Sequence, residues 1–149
     1  MSNPRMATKI ESEAKPKRYV FVLLEDFTLL SFASALESLR IANRMAGHEA
    51  YQWRIIGEGG EEVCCSAGSV FKLDGDLDEL SRDDTMMICS GVNVQQFTTK
   101  KLLGWVRREA RKGIPVAGLC TAAYTLAKAG LLDDKRATIH WENHDTVPA

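Results

Sequence analysis

The chain is poor in the residues and patterns that announce the simpler functions. Its 149 residues include only three histidines and four cysteines. No two cysteines form a Cys-x-x-Cys pair and none has a histidine at zinc-finger spacing. Adjacent Cys64 and Cys65 would point to opposite faces of a strand, so neither a structural metal site nor a disulfide framework is indicated. Cys64, Cys65, Cys89 and Cys120 therefore read as free thiols of a reducing compartment. Charge of one sign is also lacking: 19 Lys and Arg against 20 Asp and Glu leave a net charge of -1, with no global pull toward nucleic acid. Every apolar run is far shorter than a membrane span, and the N-terminal stretch has no apolar core of a secretion signal. These absences predict a cytoplasmic chain with no membrane partner, no metal and no cofactor. No heptad or long self-complementary strand declares an oligomer interface.

What is present is ordinary globular composition, 45% hydrophobic and 26% charged, in a length that suits one domain. Residues 1–17, with Pro4, Pro16 and scattered Lys and Glu, are expected to be a disordered leader before a domain over 18–149. Tyr19 to Leu24 is a continuous apolar run, as in a central strand covered on both faces. A helix from Thr28 to Ala46 follows, with Phe32, Leu36 and Leu39 on its inner face, Gly47 as its stop, and Asp26, Ser31 and Ser34 as competing caps. Strands are predicted at Tyr51 to Ile56 and Thr85 to Cys89, and short ones at 62–66 and 69–73; 74–84 reads as a loop or short helix. Thr98 or Thr99 caps a helix to Lys112 with Leu102, Val106 and Ala110 inside. Its basic last turns suit the helix dipole. After Cys120 come a helix over 121–129, a strand over 136–140 and a helix from Trp141. Strands alternating with helices predict an α/β fold, a mostly parallel sheet with helices on both faces.

Sites in such folds lie beyond the carboxyl ends of the strands. Those ends offer Glu25-Asp26, Ser90-Gly91, Cys120-Thr121 and His140-Trp141. The stretch Ile114 to Tyr124 carries the sharpest signal: an apolar strand, a turn at Cys120, then a helix. A nucleophile elbow needs small residues two before and two after its nucleophile, and Gly118 and Ala122 meet that need. Cys120 would face the free N–H groups of a helix start, which favour a thiolate or a bound anion. The N–H groups of Gly91 and Thr121 could receive an oxyanion or carboxylate; the alternative is that Gly91 merely ends a strand. His140 could hydrogen-bond a carboxylate or serve as a cap, and Trp141 could accept a cation or be core. His48 and His144 receive no role.

Four segments in order carry a resemblance: Leu29 to Asn43, Cys89 to Asn93, Gly118 to Ala123, and Ala129 to Trp141. They resemble the class I glutamine amidotransferase-like (ThiJ/PfpI-like) domains, more closely the version at the N-terminus of AraC-type transcriptional regulators. The resemblance implies a flavodoxin-like three-layer sandwich, usually dimeric, joined to a C-terminal helix-turn-helix domain that binds promoter DNA. Some members of that branch sense quaternary amines or amino-acid catabolites. The enzymatic relatives commonly place a histidine after the cysteine and a glutamate on the first helix against the thiol; the matching positions here are Thr121 and Ser31, which lack both activating groups. The chain also ends before the C-terminal part of the fold and the DNA-binding domain. The expected function is ligand sensing, with Ser31, Ser90, Gly91, Cys120, Thr121, His140 and Trp141 around a small-molecule effector in a homodimer. DNA would be reached only through the absent domain, and no catalytic residue is expected. The alternative is a cysteine hydrolase, amidase or hydratase using Cys120.

Overall fold

A computed structural model describes residues 14–136 of the chain. The elements are β1 (Lys17–Leu23), α1 (Leu29–Ala46), β2 (Tyr51–Ile56), β3 (Glu62–Cys64), β4 (Val70–Lys72), β5 (Thr85–Cys89), α2 (Val94–Phe97), α3 (Lys100–Ala110), β6 (Val116–Leu119) and α4 (Ala123–Lys128), with a 3₁₀ turn at Cys120–Ala122 before α4. Four strands form one sheet in the order β2-β1-β5-β6, every neighbour parallel, and β3 and β4 form an antiparallel hairpin. Alternate residues of β1 explain the layering. Val20 and Val22 face a cluster with Leu102 and Val106 of α3 and Leu126 of α4, while Phe21 and Leu23 face Phe32 of α1 and Val63 of the hairpin. A strand with helices over one face and a helix plus hairpin over the other must be apolar throughout, which is why Tyr19 to Leu24 reads as an unbroken run. The chain therefore has the expected flavodoxin-like arrangement of a mostly parallel sheet between helical layers.

Several boundaries differ from the sequence expectations, each for a local reason. α1 starts at Leu29 behind Thr28, whose side chain makes no cap bond to the helix, so none of Asp26, Ser31 and Ser34 is its N-cap. α3 starts at Lys100 because the Thr99 side chain accepts the Leu102 N–H at 3.0 Å. Its inner face is Leu102, Trp105, Val106 and Glu109 rather than Leu102, Val106 and Ala110; Glu109 is admitted to the interior because it accepts the Leu80 N–H and pairs with Lys112 and Arg108. Residues 74–84 form no helix, since their polar groups serve other elements: Asp74 accepts the Ile55 N–H at the outer edge of β2, and Asp78 pairs with Arg54. That same edge is blunted by Asn43, whose amide both donates to Tyr51 O and accepts Tyr51 N–H at 2.8 Å, as a neighbouring strand would. α2 is an additional short helix, and the helix expected over 121–129 is divided into the 3₁₀ turn and α4. The expected strand over 136–140 and the helix from Trp141 lie outside the described residues.

The amino ends of β1 and β5 are locked by a fork: Arg18 donates through Nε and Nη2 to the two carboxylate oxygens of Asp84, both at 2.7 Å. Asp84 is 2% exposed and also accepts the Ser81 N–H. Burial pushes its carboxyl up, but the Arg18 and Ser81 bonds more than offset this and hold it below the usual carboxylate range. A depressed folded-state value stabilises the fold above the ordinary aspartate range and ceases to do so as pH falls through it. Asp84→Asn is accordingly expected to lose about 1–3 kcal/mol at neutral pH, with the gap to the parent closing in acid below roughly pH 4, as read by urea melts at stepped pH.

Candidate functional site

β1, β5 and β6 end side by side, and directly beyond each the backbone turns through the left-handed region at a residue other than glycine. Asp26 has φ 60°, Asn93 φ 59° and Cys120 φ 57°. Each such residue costs roughly 1–3 kcal/mol and persists only where its surroundings impose it. Asp26 and Asn93 are the side-chain types that tolerate this conformation, and they are bonded to each other, Asn93 Nδ2 donating to Asp26 Oδ2 at 3.1 Å. This corner is also the switch point of the sheet. β2 lies on one side of β1 and β5 on the other, and the segments that leave β1 and β5 meet at the bridge between Phe27 and Gly91.

Cys120 sits in this corner between β6 and the 3₁₀ turn. The small residues around it are required. A Cβ at Gly118 would lie 3.1 Å from both Ala122 Cβ and Leu126 Cδ1, a tight contact to which those neighbours would have to yield. The thiol meets Thr28, with Oγ1 and Sγ 3.3 Å apart. Thr28 is the residue before α1, and its N–H donates to Ser90 O at 3.2 Å. Gly91 completes the corner: a Cβ there would collide with Asp26 O and lie 2.8 Å from Thr28 N and Oγ1. Its glycine is thus a close-approach residue that lets the chain leaving β1 touch the chain leaving β5.

The residues expected at the site divide into three groups. Cys120, Thr121, Ser90 and Gly91 are brought together, but two of their side chains are already spent. Thr121 donates to Gly91 O at 2.7 Å, so the 2.8 Å bond between the Ser90 and Thr121 hydroxyls has Ser90 as donor. With Ser90 0% and Thr121 3% exposed, these hydroxyls are internal ties. Ser31 donates to Thr28 O at 3.0 Å, and it is Thr28, not Ser31, that bonds the thiol. His140 and Trp141 lie outside the described residues. Sequence reasoning missed Thr28 and Asn93 and offered Asp26 only as a strand-end residue; the available signal was that Asp26 and Asn93 follow apolar strands and are residues that accept positive φ.

The other thiols have different surroundings. Burial pushes the Cys64 thiol up, with nearby Glu25 acting in the same direction, and burial pushes Cys89 up further. Glu25 accepts the Cys64 N–H at 3.1 Å and Asp26 N–H donates to Cys64 O at 2.9 Å, which ties the hairpin to the end of β1. A cavity of about 250 Å³ lies there, with Leu24, Glu25, Glu62, Phe97 and Thr99 among its lining residues; Cys120 is not one of them. Among the described residues no group of three or more His, Cys, Asp or Glu side chains could hold a metal. No helix among them is long and apolar enough to cross a membrane.

Residues 17–149 match the pattern of the DJ-1/PfpI family. The chain belongs to the DJ-1/PfpI family. Within it, the chain is 37% identical over 127 residues to the HTH-type transcriptional regulator GbdR of Pseudomonas aeruginosa, covering 85% of this chain and 35% of that protein. It thus spans about a third of that regulator's length. It is also 41% identical over 87 residues to the isonitrile hydratase of Pseudomonas putida, covering 58% of this chain and 38% of the hydratase. Among solved structures it is similar to an AraC family transcriptional regulator from Pseudomonas putida, with a TM-score of 0.75 and 28% identity over 89% of this chain and 71% of that one. Regulators and an enzyme therefore both occur among the relatives.

Two substitutions test the corner. Thr121→Val removes the donor to Gly91 O and the acceptor for Ser90 and is expected to cost about 1–3 kcal/mol in denaturant melts. Gly91→Ala, which must displace backbone rather than a flexible side chain, is expected to cost at least as much, roughly 1–3 kcal/mol or more, and to change the near-ultraviolet circular dichroism.

Proposed function

We propose that this chain is the ligand-sensing part of an AraC-type transcriptional regulator. A small metabolite binds against the Cys120 bend, and its occupancy alters how a helix-turn-helix domain elsewhere in the full protein engages promoter DNA. The observation that carries this reading is the convergence of Asp26, Asn93 and Cys120 in left-handed backbone at the switch point. Backbone in sparsely populated conformations clusters at ligand clamps and switch regions. The similarity to GbdR and to the solved AraC family regulator supports the regulatory branch.

In this reading the bend is a nucleophile elbow kept for its shape. Backbone N–H groups at Gly91 and Thr121 receive the carboxylate or other oxyanion of the effector. Cys120 forms the floor of the pocket. The effector class is a quaternary amine or an amino-acid catabolite, and the working unit is a homodimer. Catalysis is disfavoured because Thr121 offers no general base and the group on the thiol is the Thr28 hydroxyl rather than a carboxylate. The second reading, a cysteine hydratase, hydrolase or amidase, draws on the similarity to the isonitrile hydratase.

A thermal-shift screen of betaines, carnitines and amino acids separates the two. The sensor reading expects one class to raise the melting midpoint, by about 2.7 kcal/mol of added stability at a hundredfold excess over Kd, with the gain reduced in Cys120→Ala and no turnover of isonitriles, amides or esters. Turnover abolished by Cys120→Ala, with no stabilising ligand, would reverse the assignment.

A further inference from the structure

At the carboxyl end of β1 the two layers of the core come apart. Val22 and Leu24 belong to the cluster under α3 and α4, and Leu23 to the cluster under α1 and the hairpin. All three line the cavity of about 250 Å³ that opens there. Its apolar wall is completed from both layers, by Phe97 and Leu102 on one side and by Val63 and Leu73 on the other. Leu73 and Leu102 are core side chains, so this wall is a fixed part of the fold. The carboxyl end of a central strand is also where open α/β sheets hold their ligands.

The charged lining has one sign. Glu25, Glu58 and Glu62 contribute to it, and no Lys, Arg or His does. Two of the three are held in place by bonds that use one carboxylate oxygen each. Glu25 Oε1 accepts the Cys64 N–H at 3.1 Å, and Glu58 Oε2 accepts the Thr99 hydroxyl at 2.9 Å, while that hydroxyl in turn accepts the Leu102 N–H. The second oxygen of Glu25 and of Glu58, and both of Glu62, have no protein partner among the described residues.

An apolar wall beside unneutralised carboxylates selects for shape and charge together. An anion is repelled, a neutral apolar solute leaves the carboxylates without a counter-charge, and a hydrated metal ion gains nothing from the wall. We infer that this cavity is a second binding site, for a small primary alkylammonium whose chain lies against Phe97 and Leu102 and whose N–H groups bond the open carboxylate oxygens. A primary amine fits because those oxygens are acceptors that need donors, and because Phe97 is the single aromatic ring of the lining, too few for the cage that a quaternary ammonium requires. The cavity is smaller than the roughly 300–1,000 Å³ of drug-sized sites, so the guest is short. Cys120 is not on its wall, and the inference does not rest on the sensor reading.

The test is a titration of the full chain followed by amide NMR at low salt, with n-butylammonium as the probe. Tetramethylammonium keeps the charge without N–H donors, and n-butanol keeps the chain without the charge. The expected result is saturable binding of n-butylammonium, at least about tenfold tighter than either control, with shifts centred on Glu25, on residues 57–63 and on residues 97–102. Glu58→Gln combined with Glu62→Gln preserves the shape and the acceptor for Thr99, and is expected to weaken binding by more than about tenfold. Glu61→Gln, an exposed neighbour off the lining, leaves it within about twofold. Equal binding of the three probes, shifts centred on Cys120 to Ala122, or an equal loss in Glu61→Gln overturns the inference. So does the absence of binding, and in each case the sensor reading at Cys120 is untouched. The probe comparison and the shift map decide the matter even where the paired variant fails to fold.

Discussion

The close approach of the chain leaving β1 to the chain leaving β5 is the constraint on which the carboxyl edge depends. Gly91 permits it by having no Cβ to collide with Asp26 O, and Thr28 N–H seals it by donating to Ser90 O. Beside this contact Asp26 and Asn93 lie in left-handed backbone and bond to each other. Thr28 is also carried to the Cys120 thiol across 92 residues of sequence. A bulkier residue at 91 would open the corner, and Cys120 would lose the neighbour that now defines its surroundings.

Thr28 consequently occupies two roles at once. It precedes the first residue of α1, and it is the polar contact of the bent cysteine. Any group that displaces its hydroxyl from Sγ acts on the start of an 18-residue helix. A rigid element anchored at a site by its first residue converts a local contact into a displacement along its length.

The chemistry of the corner follows from what its hydroxyls already do. Ser90 and Thr121 are buried and committed to each other and to Gly91 O, so they hold β5 against the Cys120 bend. The Thr121 hydroxyl accepts from Ser90 and donates to Gly91 O, so it is fully engaged within the protein. Cys120 in left-handed backbone, with small Gly118 and Ala122 beside it, lies in a corner whose neighbouring side chains tie the backbone together.

The sequence by itself determined the layers and the bend. Continuous apolar runs at Tyr19 to Leu24 and Thr85 to Cys89 required strands buried on both faces, and Gly118 with Ala122 marked the turn at Cys120, because burial and close packing act on residues near one another in the chain. Helix starts were less legible: Thr28 stands before α1 through its place beside Cys120 and Ser90 rather than through a cap bond, and no local pattern records that. Only the tertiary structure decided that Thr28 rather than Ser31 bonds the thiol, and that the Ser90 and Thr121 hydroxyls are spent internally. Only it could show that Glu25, Glu58 and Glu62 line one cavity. Those outcomes depend on which segments from distant parts of the chain arrive at the same point, and hydrogen-bond partners and exposure are properties of that meeting rather than of any one stretch of sequence.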